Sequence, residues 1–300
     1  MHTKHLDNLA RRLKIEGLSS PSLEALSHRQ KGYDLDRARC FLAFQDRIEH
    51  ELLQHRVITD NAYCHWFAQG ELNPRQVKAF IIQFSVFSNQ FLLAQLNKMI
   101  NADSLETMRA SKEILANELG VRFKVEHRDK AIDVAADMEG SVEGSIFHFA
   151  SGHFEWLYHI ALELGLEFAD IGRRRHGNDS TLFFCDQLIH YYGGEDYMIS
   201  QAASYAVENW AAAGFWKQLI RGFRKFNRGH DMKLPLGFFI WHDRIESQHA
   251  SHTQEELEAL YFNRVIDEDS FIHYGNEMLD AVAAFWDGLE QQRRYLGKVH

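Results

Sequence analysis

The 300-residue chain is poor in proline and has no long uninterrupted apolar run. Its only prolines are Pro21, Pro74 and Pro235, and this scarcity favours an all-α protein with long helices. No segment reaches 18 uninterrupted apolar residues, so we expect neither a membrane-spanning helix nor a membrane partner. The first residues carry no apolar run of the signal-peptide type, and we therefore expect a cytoplasmic protein.

Cysteine and positive charge are also scarce. Cys40, Cys64 and Cys185 are widely spaced and form no CxxC pair, which is typical of reduced thiols rather than of a disulfide framework. The chain has 33 Lys and Arg against 42 Asp and Glu, a formal net charge of −9. This balance argues against nucleic acid as the main partner. The one short basic run, Arg173 to Arg175, is explained by a solvated turn.

What the chain does have is apolar and aromatic content, 45% and 13% of its residues, which is enough for a large core. We find no internal repeat, and we predict a helical extension over residues 1–35 followed by one domain over residues 36–300. Within that domain the apolar spacing predicts, among other helices, three over residues 121–138, 146–164 and 196–226.

The stretch from Trp241 to His252 contains a candidate metal-binding stripe. Neither Gly nor Pro interrupts it, so we predict a helix on which His242, Glu246 and His249 share one face. Imidazole and carboxylate ligands suit iron or manganese, and zinc is also compatible. A solvated charged helix explains the pattern equally well in a chain with 18 His. A metal would need further ligands from other helices.

Four more positions could supply such ligands: Glu118, Glu143, His153 and Glu208. Each alone could equally be a surface carboxylate or a histidine satisfied by a backbone carbonyl. Together, carboxylates and imidazoles on several helices resemble the ligand sets of di-iron carboxylate proteins. Ferritin-like bundles use two Glu-x-x-His motifs, and the run that starts at Glu246 is the only one here. A different helical scaffold is therefore required.

The chain resembles the haem-oxygenase-like di-iron oxidases and oxygenases over most of residues 40–265. Asn117-Glu118-Leu119-Gly120 is similar to the family's first Glu ligand and the Leu-Gly after it. The matches to the later ligands are His153 in a helix ending Leu164-Gly165-Leu166, Glu208 in Tyr205-Ala206-Val207-Glu208, and the closing set of His242, Glu246 and His249. The family usually has Asp where Glu246 stands, so this carboxylate reaches one methylene further.

Spacing within the resemblance favours the N-oxygenating branch of that family. Glu118 and His153 are 35 residues apart, and the N-oxygenating branch has this longer gap with an additional carboxylate inside it. Glu143 lies where that extra ligand is expected, so the resemblance implies that Glu143 is both a metal ligand and a catalytic residue. His127 is the rival for the first His, and we prefer His153 because the spacing to Glu143 then also fits.

The resemblance implies an all-α, haem-oxygenase-like helical bundle that holds two Fe ions, or a Mn/Fe pair, and uses O2 as co-substrate. The expected reaction is N-oxygenation of a small-molecule amine to the hydroxylamine, nitroso or nitro level, with an external electron donor. Two alternatives are a di-iron oxidase that cleaves a C–C or C–N bond and a non-catalytic helical binding protein with the same fold. A third alternative is a metal-free or haem-binding protein with the same fold. A homodimer is compatible with the sequence.

Overall fold

The structure is a computed structural model that describes residues 2–123, 138–139 and 147–298. Within these ranges, the side chains that it describes exclude those of residues 2–4, 7, 122–123, 138–139, 147–149 and 246–252. Predictions that concern other residues or side chains, such as those on Glu143, lie outside the described part of the chain.

Helices dominate this part of the chain. The first seven are α1 His2–Leu13, α2 Ser20–Ser27, α3 Leu35–Glu51, α4 Arg56–Thr59, α5 Ala62–Gln69, α6 Pro74–Ile100 and α7 Leu105–Glu118. The next six are α8 His153–Glu163, α9 Asp179–Gln187, α10 Tyr197–Ala212, α11 Phe215–Gly229, α12 Gly237–Asn263 and α13 Glu268–Lys298. Two 3-10 turns (Phe168–Asp170 and Arg174–His176) and a π-helical turn (Leu188–Tyr192) complete the helical segments. The all-α class is thus confirmed.

A small antiparallel sheet joins α7 to α8, and the sequence did not predict it. Strands β1 (Val121–Phe123), β2 (Met138–Glu139) and β3 (Phe147–Phe149) pair in the order β1-β3-β2. The predicted helix over residues 121–138 is wrong at both of its ends. The helix predicted over residues 146–164 begins only at His153. Short apolar runs fit a strand and a helix equally, and here pairing between distant segments decides.

The long helix predicted over residues 196–226 is in fact two helices, α10 and α11. Gly214 separates them, with a backbone φ of +88° that L side chains rarely adopt. A capping box defines the start of α6. The Asn73 side chain accepts from Gln76 N at 2.9 Å, and Gln76 Oε1 accepts from Asn73 N at 3.0 Å, with Pro74 at the first helical position.

Helix α6 runs through the core. Its Phe80 and Phe84 are fully buried, and both rings pack against Phe239 of α12, with centroids 6.2 and 5.9 Å away. Among the described residues this is also the one helix long and apolar enough to cross a membrane, and half of its most apolar window is buried inside the protein. The core helix of a globular protein meets the same criterion.

The N-terminal helices pack on α12. Leu6, Ala10 and Ile15 belong to the same apolar core cluster as the later helices. Ser19 reaches α12 directly, since its backbone N and its Oγ donate to Glu258 Oε1 at 3.0 and 2.9 Å. Glu258 is 1% exposed, so these bonds satisfy a carboxylate that would otherwise be buried without a partner.

Candidate metal centre

Three side chains from three helices meet in the core. Glu118 ends α7, His153 begins α8, and His242 lies in the second turn of α12. Each offers one ligand atom, and the three atoms lie within 4.8 Å of one another. We call these residues the Glu–His–His cluster. One carboxylate and two imidazoles at this separation form a group that can hold a metal ion.

The sheet and two glycines explain how Glu118 meets His153 across 35 residues of sequence. Val121 of β1 pairs with Phe149 of β3, so the end of α7 and the start of α8 are brought side by side. Gly120 has φ +70°, and a Cβ there would lie 2.2 Å from the Ala150 carbonyl oxygen. A Cβ on Gly152 would lie 2.8 Å from the Glu118 carbonyl oxygen. Only glycine permits this approach of the two backbones.

His153 is buried and lacks a normal hydrogen bond. Its Nδ1 lies 2.9 Å from Glu118 Oε2, and the two side chains are 7% and 13% exposed. The contact does not have hydrogen-bond geometry, and Nδ1 has no hydrogen-bond partner within the described part of the chain. Buried polar atoms nearly always have a partner. A metal ion shared with Glu118 would supply one, so the donor set fits a metal.

A backbone hydrogen bond orients His242. Its Nδ1 lies 2.7 Å from the Phe238 carbonyl oxygen, which can only accept, so Nδ1 carries the proton and Nε2 is the nitrogen of the type that binds metals. Trp216 of α11 stacks on the imidazole at a centroid distance of 4.8 Å and an interplanar angle of 25°. The His153 ring lies 4.7 Å away at 71°. These contacts hold the ring in place.

A half-open cavity of about 80 Å³, about half of its lining aromatic, lies beside the cluster. Glu118 and His242 line this cavity, and so does Glu208 from α10. Glu208 is half-buried and is not one of the three closely spaced residues. The remaining walls are apolar apart from one serine: Phe84, Phe87, Ser88, Phe91, Ile114, Val207, Trp210, Ala211, Trp216, Phe238 and Ile245.

A buried lysine near Glu208 escaped the sequence analysis. Lys98 of α6 is 8% exposed, its Nζ donates to Ser204 Oγ, and it lies 4.4 Å from the centre of the Tyr192 ring. Burial lowers the pKa of Lys98, and the negative charges of Glu208 and Glu256 oppose that shift. The only signal in the sequence was a lysine among apolar residues near the end of α6, which is easily taken for a surface residue.

The other predicted ligands lie outside the described side chains. Glu246 and His249 are on α12, one and two turns beyond His242, as the predicted continuous helix requires. Their side chains are not described. Glu143, and His127 as the rival candidate for the first His ligand, both lie outside the described segments. The proposed ligand roles of these residues remain predictions.

No protein-family model and no curated protein matches the chain. Among solved structures it is similar to a domain of unknown function with a haem-oxygenase-like fold from Shewanella denitrificans (TM-score 0.58, 12% identity, covering 87% of this chain and 96% of that one). It is also similar to a TenA homologue from Pseudomonas syringae pv. tomato (0.55, 10%, 85% and 93%).

A third similar structure is a CADD-like protein of unknown function from Nostoc punctiforme, with a TM-score of 0.54, 15% identity, and coverage of 87% of this chain and 99% of that one. The three similarities cover 85–87% of this chain and 93–99% of the similar chains. The chain therefore has the haem-oxygenase-like fold, and the predicted fold class is confirmed. It is an all-α protein of that fold with a three-residue group that can hold a metal.

Proposed function

We propose that the chain is an O2-activating non-haem di-iron oxygenase that acts on a small molecule, by N-oxygenation of an amine. The observation that carries the proposal is the Glu–His–His cluster at the wall of the cavity, with Glu208 on the same cavity. Glu118, His153, Glu208 and His242 would hold iron, and Glu143, Glu246 and His249 would complete the set. When bound, two irons supply electrons for the activation of O2.

The protein's own residues would bind and screen the substrate. A cavity of about 80 Å³ is much smaller than the roughly 300–1,000 Å³ of drug-sized pockets, so it admits the reacting end of a small molecule and not a haem. Its largely apolar walls favour the uncharged form of an amine. A neutral amine N–H can donate to the Glu208 or Glu118 carboxylate, which would place the nitrogen beside the cluster.

Iron content and O2 uptake test the proposal. Metal-free protein loaded with ferrous iron under argon should hold about two irons per chain and should consume O2 when an amine panel is added. Mass spectrometry should find products heavier by one or more oxygen atoms. His242→Ala should lose iron and O2 uptake, whereas exposed His159→Ala, on the same helix as His153, should retain both.

Other results would replace the proposal. Products that have lost a carbon or nitrogen fragment would show an oxidase that cleaves C–C or C–N bonds. Folded protein with background iron and no O2 uptake would show a non-catalytic helical binding protein. Glu143→Gln separates the two oxidative reactions, because the resemblance assigns the additional carboxylate ligand to the N-oxygenating branch. The variant should keep the other six ligands and most of its iron but lose the N-oxygenated product.

A further inference from the structure

Helix α11 carries a continuous stripe of positive charge. Lys217, Arg221, Arg224 and Arg228 follow one another at intervals of four, three and four residues, so they share one face of the helix. All four are exposed. No Asp or Glu occurs from residue 209 to residue 230. We call these four residues the α11 basic stripe.

The stripe is not neutralised within the protein. None of its four side chains forms an ion pair or a hydrogen bond to any described residue. A shallow groove of about 340 Å³ lies along it, between α11 and α12, and Asp243 is the one acidic residue among the residues that line the groove. Because the chain as a whole carries −9, this face has the opposite sign to the molecule's net charge and would orient an acidic partner.

The opposite face of α11 touches the candidate metal centre. Trp216, next in sequence to Lys217, stacks on the His242 ring at 4.8 Å. Phe223 packs on Phe239 of α12 at a centroid distance of 4.8 Å. One helix, about 10 Å across, therefore separates the basic stripe from a residue of the Glu–His–His cluster.

We propose that the α11 basic stripe is the docking surface for an acidic one-electron carrier protein, of the class of small iron–sulfur or flavin carriers. This inference rests on the proposed function, because an oxygenase of that kind consumes electrons that its substrate does not supply. Each carrier would be oxidised by one electron and the metal centre reduced by one. Two carriers would serve two irons, and no covalent bond would form or break.

The dimensions of the stripe favour a small redox partner over nucleic acid. From Lys217 to Arg228 the stripe extends about 16 Å along the helix, at about 1.5 Å per residue. Weak redox encounters use small interfaces that are steered by charge. A nucleic acid would extend beyond the stripe onto a molecule of net charge −9, which repels it.

Binding to metal-free protein tests the surface independently of activity. The probe is an acidic plant-type [2Fe–2S] ferredoxin, measured by calorimetry at about 10 mM ionic strength, where charges interact over about 30 Å. Arg221→Glu combined with Arg224→Glu should weaken binding by at least about tenfold. Arg11→Glu combined with Arg12→Glu, the same charge change on exposed residues of α1, should weaken it less than about threefold.

Reduction of iron-loaded protein provides the second readout. In the α11 double variant, reduction by ferredoxin should slow by at least about tenfold, whereas iron content and the single-turnover O2 uptake of protein loaded with ferrous iron should match those of the parent. Equal ferredoxin binding by both double variants would overturn the inference. Tighter binding of RNA or of anionic vesicles than of ferredoxin, at the same salt, would overturn it as well.

The outcomes also separate this inference from the proposed function. If the parent chain neither holds iron nor consumes O2 when it is loaded with ferrous iron, the proposed function is wrong whatever the ferredoxin does. If iron and O2 uptake are normal and ferredoxin binding is indifferent to charge on α11, the docking surface alone is wrong.

Discussion

The Glu–His–His cluster predicts that a metal ion raises the thermal stability of this chain and that His153 is needed for the effect. His153→Gln is the sharpest test, because glutamine keeps much of the side-chain volume and polarity but does not replace an imidazole ligand. Any cost to the metal-free protein, from lost contact with Glu118 and with the rings around His153, is measured separately by the scan without iron.

The expected size follows from binding linkage. With ferrous iron at 1,000 times its dissociation constant, the folded state gains about 4.1 kcal/mol. Loss of His153 should weaken binding by at least about 100-fold, the upper end of the cost of losing a residue that merely supports a ligand. The gain then falls to about 1.4 kcal/mol, a difference of about 2.7 kcal/mol. With an unfolding entropy of about 2.1 cal/mol/K per residue, or about 0.63 kcal/mol/K for the whole chain, Tm should differ by about 4 °C.

Differential scanning calorimetry under argon, with and without ferrous iron, measures this difference. His159→Gln is the matched control, since His159 lies on α8 with His153 but is exposed. It should show the full iron-induced rise in Tm. The reasoning would be refuted if His153→Gln showed the same rise as the parent protein. It would also be refuted if iron raised the Tm of neither.

Three further predictions concern other parts of the molecule. Glu208→Ala should keep its helical circular dichroism spectrum yet bind less iron, and unfolding of this variant would make Glu208 structural instead. Gly214→Ala should lower the free energy of unfolding by about 1–2 kcal/mol, because the residue has a φ of +88° even though space is free for the methyl group. Gly229→Ala is the control: it also has free space but no positive φ, and it should not destabilise the protein. Burial raises the pKa of the Cys185 thiol to about 12 and that of Cys64 above its usual range. Iodoacetamide at pH 8 should therefore label only the exposed Cys40. Two or more labels on native protein would contradict this.

Some features of this chain are decided by local chemistry and could be predicted from sequence. Scarce proline and sustained apolar spacing predict long helices, and the structure has them. The start of α6 at Asn73 and Pro74 is also local, because a capping side chain and a fixed φ act within one turn. His242 and His249 lie on one uninterrupted helix, α12, as the absence of Gly and Pro between them predicts.

The sequence resemblance singled out Glu118 and His153, but their meeting depends on contacts between distant segments. The pairing of β1 with β3 and the close approach at Gly120 and Gly152 bring the two side chains together. No local periodicity encodes such pairing, which is why helices were predicted where the strands lie. The break at Gly214 is similar, since a glycine inside an apolar helical pattern is compatible with both a continuous and a broken helix.

Burial and surface charge are likewise properties of the folded chain. In sequence, Lys98 is one lysine near the end of a long helix, and only the packing of α6 against Tyr192 and Ser204 buries it. The α11 basic stripe consists of scattered cations in the sequence, and they form one surface only because the helix turns every 3.6 residues and buries Trp216 on its other side. Sequence determines which groups are present and their order along each helix. The tertiary structure decides which of them meet, because that depends on which helix faces pack together.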